Sequence, residues 1–232
     1  MNDPVVHQLA VYLDDTYATE VSTTVIAGAL HDEQRCLAVR DNIVHPQGGG
    51  QPADIATLNG AAASVVRVQH DQPLVALVPE LPAGELPAVG ERVSVAVDRA
   101  ARLEHAALHT AGHLVDAAVR ARDYRHIVSN HFPGQARIEF EAGTALEDAE
   151  EFVATVQADV HAVIDKDLPV EAYWADGRRY VRIGEFSLDE CAGTHVSHLD
   201  ELGDLVVRSA KVKKGRLKVG YSARYREGAV RR

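Results

Sequence analysis

A chain of 232 residues with 46% hydrophobic and 25% charged residues is built to bury a sizeable core, in one large domain or two modest ones. Its formal charge of −10 argues against an indiscriminate nucleic-acid binder, because phosphate contacts need lysine and arginine. Nothing predicts a membrane span or a disulfide framework: no apolar run nears the roughly 18 residues a bilayer requires, Met1-Asn2-Asp3-Pro4 lacks a signal-peptide pattern, and there are only two cysteines, so the cytoplasm is the expected compartment.

From Val5 to about Val97 the pattern is β-rich. Alternating or apolar runs at Gln8–Leu13, Val21–Ala27, Cys36–Val39, Ala62–Val68, Leu74–Val78 and Val93–Val97 read as strands, punctuated by Gly, Pro, Asn and Asp. Within this region lies His45-Pro46-Gln47-Gly48-Gly49-Gly50-Gln51-Pro52. Three consecutive glycines between prolines exclude a helix or a packed strand and predict a loop able to approach another surface closely.

From Arg99 the period becomes helical. Leu103, Ala106, Ala107, Leu108, Ala111, Leu114, Val115, Ala118 and Val119 form one apolar stripe on a helix reaching about Arg122. Gly112 within it predicts close packing, since glycine there costs about 1 kcal/mol relative to alanine. A second helix is expected from Leu146 to about Lys166. Strands are expected at Ala136–Glu141, Pro169–Trp174, Tyr180–Ile183, Asp204–Ala210 and Arg216–Ser222. The fold class is therefore α+β: a β-rich domain over residues 1–97, then two helices on an antiparallel sheet over 98–232.

Two short motifs carry the chemistry: His109-Thr110-Ala111-Gly112-His113 and Cys191-Ala192-Gly193-Thr194-His195. Residues four apart on a helix share a face, so His109 and His113 can chelate one ion. With Cys191 and His195 they form a nitrogen and sulfur set suited to Zn2+. A zinc protease carries glutamate directly after the first histidine; here that residue is Thr110, which excludes that mechanism. Four protein ligands close a structural site, whereas a catalytic zinc keeps a position for water, and the spacing alone leaves both readings open, as it does a site without metal. The C-terminal stretch gathers Arg208, Lys211, Lys213, Lys214, Arg216, Lys218, Arg224, Arg226, Arg231 and Arg232 against Glu227. It fits either polyanion contact or a solvated edge strand defended by cations.

Taken together these segments resemble the alanyl-tRNA editing proteins called AlaX, free-standing relatives of the alanyl-tRNA synthetase editing domain. The resemblance rests on Tyr12-Leu13-Asp14-Asp15, the glycine loop, both metal motifs, Asn130-His131-Phe132-Pro133 with Ile138-Glu139-Phe140, and Lys213-Lys214-Gly215-Arg216-Leu217. It implies a small N-terminal β-barrel joined to an α+β editing domain. The implied activity is trans hydrolysis of the ester of tRNA(Ala) mischarged with serine or glycine. By matching position, His109, His113, Cys191 and His195 become the Zn2+ ligands. Thr110, Asn130 and His131 become candidates to contact the substrate hydroxyl. Gly48, Gly49, Gly50, Gln51, Lys213, Lys214 and Arg216 become candidates to hold the tRNA. His45, where the family usually has an aromatic residue, Ala192, where it commonly has glycine, and Asn130, near a position it often fills with Gln or Tyr, are departures. The oligomeric state has no signature in the sequence.

Overall fold

The computed structural model describes residues 7–70, 72–142 and 146–228. Met1-Asn2-Asp3-Pro4, Val5, Arg231 and Arg232, all used above, lie outside these residues. The chain divides into two compact units: Met1–Gly48 with Pro52–Arg102, and Gly49–Gln51 with Leu103–Arg232.

The first unit contains β1 (Leu9–Ala10), α1 (Val11–Asp14), β2 (Glu20–His31), β3 (Gln34–Val39), β4 (Asp41–Asn42), β5 (Ala56–Leu58), β6 (Ala61–Gln69), β7 (Pro73–Pro79) and β8 (Arg92–Val97). Six strands close in the order β2-β3-β7-β6-β5-β8, and β1 pairs with β4 in parallel. The alternation of β8 shows why: Val93, Val95 and Val97 are buried while Arg92 and Ser94 face solvent. The core they join includes Val25, Leu37, Val39, Leu58 and Leu77. The strand expected over Gln8–Leu13 is corrected: after Ala10 the chain makes one helical turn, closed by Asp15 N–H donating to Val11 O at 2.8 Å. That turn buries the adjacent residues Tyr12 and Leu13 together.

One ion pair anchors the interior of this unit. The Arg102 side chain, fully buried, donates through Nε to Asp54 Oδ1 at 2.9 Å and through its terminal nitrogens to Asp54 Oδ2, Thr16 O and Ile43 O. Asp54 also accepts the backbone N–H of His45. The His45 ring packs edge-on against Tyr12, with centroids 5.5 Å apart, and burial lowers its pKa to about 4. It is a neutral core ring in the place of the family's aromatic residue.

The second unit begins inside α2 (Arg99–Arg120), whose first turn is capped by Asp98 accepting the Ala101 N–H at 3.0 Å. The stripe from Leu103 to Val119 is buried as its period requires. There follow β9 (Arg125–Asn130), β10 (Arg137–Glu141), α3 (Ala149–Ile164), β11 (Val170–Ala175), β12 (Arg178–Ile183), β13 (Ser187–Glu190), β14 (Leu202–Lys213) and β15 (Arg216–Tyr225). Asp148 starts α3 by accepting the N–H groups of Glu150 and Glu151. An antiparallel sheet of order β14-β15-β10-β9 packs against α3, and a smaller one runs β11-β12-β13. Helices on antiparallel sheet were expected; β4, β5, β9 and β13 were not. Among the described residues no helix is long and apolar enough to cross a membrane.

Removing one partner of a buried ion pair leaves the other charge stranded. Asp54→Ala should therefore lower unfolding free energy by about 3–5 kcal/mol in urea titrations, and a loss under 1 kcal/mol would show that the pair is dispensable.

Candidate metal centre

His109 and His113 project from one face of α2, and Cys191 and His195 from the loop that follows β13. One ligand atom from each lies within 4.8 Å of all the others. His109 and His195 are buried, while His113 and Cys191 are partly covered. The Nε2 atoms of His195 and His109 approach Cys191 Sγ to 3.2 and 3.5 Å. This group could hold a metal ion.

The neighbouring hydrogen bonds decide which ring nitrogen each histidine offers. Gln51 Oε1 accepts the Thr194 N–H at 3.0 Å, and its Nε2 donates to Thr194 Oγ1 at 2.8 Å, which fixes the amide orientation. The oxygen therefore faces His109 Nδ1, 2.7 Å away, and that nitrogen must donate. The Thr110 hydroxyl donates to Ala106 O at 2.9 Å, so its oxygen accepts from His195 Nδ1 at 3.2 Å and from Val196 N–H. His113 Nδ1 faces Asp189 Oδ2 at 3.2 Å. His109 and His195 thus carry the proton on Nδ1 and the lone pair on Nε2, the tautomer a metal needs, and His113 likewise directs its Nδ1 proton at Asp189. His113 Nε2 is buried without a hydrogen-bond partner, and a metal that displaced its proton would give it one.

Charge around the centre is arranged to match. Burial opposes the His113 imidazolium, but the hydrogen bond to Asp189 and the nearby Cys191 sulfur outweigh it and raise the pKa to about 9. A metal must therefore displace a proton from this ring, and affinity falls as pH falls. Asp189 is itself partly buried, yet His113, Ser187 and Arg120 hold its carboxyl down at about 2.

Two glycines make room for the rings. A Cβ on Gly193 would stand 2.1 Å from His109 Cε1, and one on Gly112 would stand 2.4 Å from His131 Cε1. Alanine at either site would push a ring out of place.

His131 lies flat against His109, with centroids 4.4 Å apart, and its N–H donates to Gly50 O at 2.8 Å. Its Nδ1 meets the Tyr221 hydroxyl, which reaches Leu108 O at 3.1 Å. Both contacts are satisfied only if Tyr221 donates to the carbonyl and His131 Nδ1–H donates to Tyr221. Burial and the neighbouring His113 and His126 push its pKa down to about 3, so the ring is neutral and its Nε2 carries a lone pair.

The other expected site residues fall in different places. Thr110 is fully buried with its oxygen occupied by helix, ring and loop. Asn130 Oδ1 accepts the Phe132 N–H at 2.9 Å and shapes the turn that delivers His131. Gln51, expected to face RNA, is fully buried against His109 and Thr194. Gly49 and Gly50 belong to the second unit and Gly48 to the first. Lys213, Lys214 and Arg216 are exposed around the β14–β15 turn. Tyr221 and the orienting role of Asp189 had no sequence signal beyond the nearness of Asp189 to Cys191.

Metal-free protein titrated with Co2+ should take up one equivalent. Gln51→Ala should weaken that binding about 10–100-fold, while Gln51→Glu, which keeps an acceptor, should restore most of it. Equal affinity in all three proteins would contradict the orienting role.

No family model matches the chain. It is 25% identical to the alanyl-tRNA editing protein AlaX-M of Pyrococcus horikoshii, over 84% of this chain and 88% of that protein. It is also 25% identical to AlaX-L of the same organism, over 93% of this chain and 58% of that protein. The alanine–tRNA ligase of Caldivirga maquilingensis matches 88% of the chain at 25% identity, but the chain spans only 25% of that ligase. Along most of its length, the chain is similar to the alanyl-tRNA editing proteins.

Proposed function

We propose that this protein is a zinc-dependent aminoacyl-tRNA deacylase. It acts in trans, in the cytoplasm, on the ester of mischarged tRNA(Ala), chiefly Ser-tRNA(Ala) and also Gly-tRNA(Ala). The observation that carries the reading is the convergence of three histidines and one cysteine, with every Nδ1 proton already engaged, in a chain similar to editing proteins. This borderline nitrogen and sulfur set fits zinc. Bound there, zinc would supply a positive centre able to polarise the ester or anchor the amino acid.

An aminoacyl ester is already activated, so positioning and electrostatics carry most of the demand on the protein. In this reading His131 discriminates between substrates. Held neutral beside His109, it offers Nε2 as an acceptor for a seryl hydroxyl. An alanyl methyl would leave that acceptor unpaired, and a site built to bond a hydroxyl rejects the analogue lacking one. Thr110 serves by holding His195, and Asn130 by shaping the approach to His131. Gly48 and Gly49 with Lys213, Lys214 and Arg216 are the proposed tRNA contacts, while Gly50 and Gln51 brace the site.

The four converging donors also suffice to close a purely structural site, which favours a second reading as a non-catalytic zinc-stabilised tRNA-binding module. Hydrolysis of Ser-, Gly- and Ala-tRNA(Ala), with and without a chelator, separates the two. The enzyme reading predicts loss of Ser-tRNA(Ala) hydrolysis on chelation and in His109→Ala or Cys191→Ala. Full activity in a demonstrably metal-free variant would sink it, and tRNA binding without turnover would favour the module. Tyr221→Phe, which removes the oxygen that accepts from His131, should slow seryl hydrolysis about tenfold, the loss of one bond near 1.4 kcal/mol, and narrow the preference for seryl over glycyl.

A further inference from the structure

The outer face of the β14-β15-β10-β9 sheet carries a charge arrangement that sheet stability opposes. Ala210, Leu217, Val219, Ile138 and Phe140 point into the core, so the residues alternating with them point away from it. On that face Lys211 stands directly opposite Lys218, and Lys213 directly opposite Arg216. Like charges in register across strands are destabilising, and here two such pairs are consecutive.

Glu139 on β10 stands opposite Lys218 and is buried beneath cations. It accepts from Lys218 at 2.8 Å, Arg216 at 3.3 Å and Arg137 at 3.5 Å. The Lys218 bond, with help from Arg216 and Arg137 and against the effect of burial, holds its carboxyl below the usual range. Glu141, further along β10, pairs with Arg125. The described cations on this face therefore outnumber its carboxylates, on a chain whose overall charge is −10. The row containing Arg137 pairs with Asn130, and the next residue, His131, lies against metal-ligand candidate His109.

We propose that this outer sheet face, from the Lys213–Arg216 turn across Lys211 and Lys218 to Arg137, binds the phosphodiester backbone of the RNA substrate. Glu139 holds Arg137, Arg216 and Lys218 as a fixed set, so the face is ordered before the polyanion arrives. Phosphates supply the missing counter-charge for the two like-charge pairs. The adjacent row, with Arg137 opposite Asn130, ends one residue from His131, which directs the aminoacylated end toward the metal centre. This rests on the deacylase reading and adds to it the surface that takes the RNA.

The test uses the full chain, a tRNA(Ala) transcript and binding measured at several salt concentrations. Lys211→Gln/Lys218→Gln should lower affinity and reduce the slope of log K against log salt by about 2, near 0.9 for each lost phosphate contact. Lys211→Gln alone should hold or raise the melting temperature, because it relieves the repulsion with Lys218 and leaves Glu139 its partners. Lys166→Gln, after the end of α3, should leave affinity and slope as they are. Wild-type affinity and slope in the double variant would overturn the proposal, as would binding of poly-glutamate as tight as that of RNA. Hydrolysis of seryl-adenosine, which lacks the backbone, should be equal in wild type and double variant. If wild type hydrolyses neither seryl-adenosine nor Ser-tRNA(Ala), the deacylase reading fails, and the binding series still decides the RNA surface.

Discussion

Three hydrogen bonds from imidazole Nδ1 protons hold this molecule's chemistry in place. A histidine ring free to rotate offers either nitrogen, and three such rings would seldom aim three lone pairs at one point. Here each ring is held by an acceptor from a different piece of chain: Gln51 from the glycine loop, Asp189 from β13 and Thr110 from α2 itself. The fold of the second unit can be read as the means of bringing those acceptors to the rings. The short stretch Gly49–Gln51 belongs to it for that reason, and Gly193 and Gly112 supply the clearance that ring packing demands.

Burial gives this arrangement its selectivity. A buried donor or acceptor left unmade costs about 1–3 kcal/mol, so each acceptor specifies one tautomer. The same low-dielectric setting treats two histidines in opposite ways. His113, facing Asp189, is held toward its charged form until a metal displaces the proton, whereas His131, bonded to a neutral phenol, stays uncharged. Two nearby imidazoles thereby acquire different chemistry, the one suited to coordination and the other to accepting a hydrogen bond. On the outer sheet face the logic is one of charge, with Glu139 buried among cations as their organiser.

Features set by local periodicity were legible in the sequence. The α2 stripe, the shared face of His109 and His113, and the alternation of β8 follow from 3.6- and 2-residue repeats. The Asn59-Gly60 turn joining β5 to β6, where both residues adopt positive φ as a tight hairpin requires, passes unnoticed with β5 itself, which is only three residues long. β13, Ser-Leu-Asp-Glu, is a strand because it pairs with β12, not by propensity. Tyr12 and Leu13 read as the end of a strand because their joint burial is a tertiary fact. Gln51 shows the limit most clearly: within a glycine-rich loop its amide looks like a surface contact, and only the partners His109 and Thr194, far along the chain, reveal its orienting role. Tyr221, 90 residues from His131, is hidden for the same reason.

In the proposed centre all three histidines meet one metal through Nε2 with Nδ1 protonated. Long-range 1H–15N correlation spectra of the zinc-loaded protein read this directly for each ring. The expected result is a protonated Nδ1 and a metal-ligated Nε2 for His109, His113 and His195 alike. Coordination through Nδ1, or a doubly protonated ring, at any of the three would contradict it.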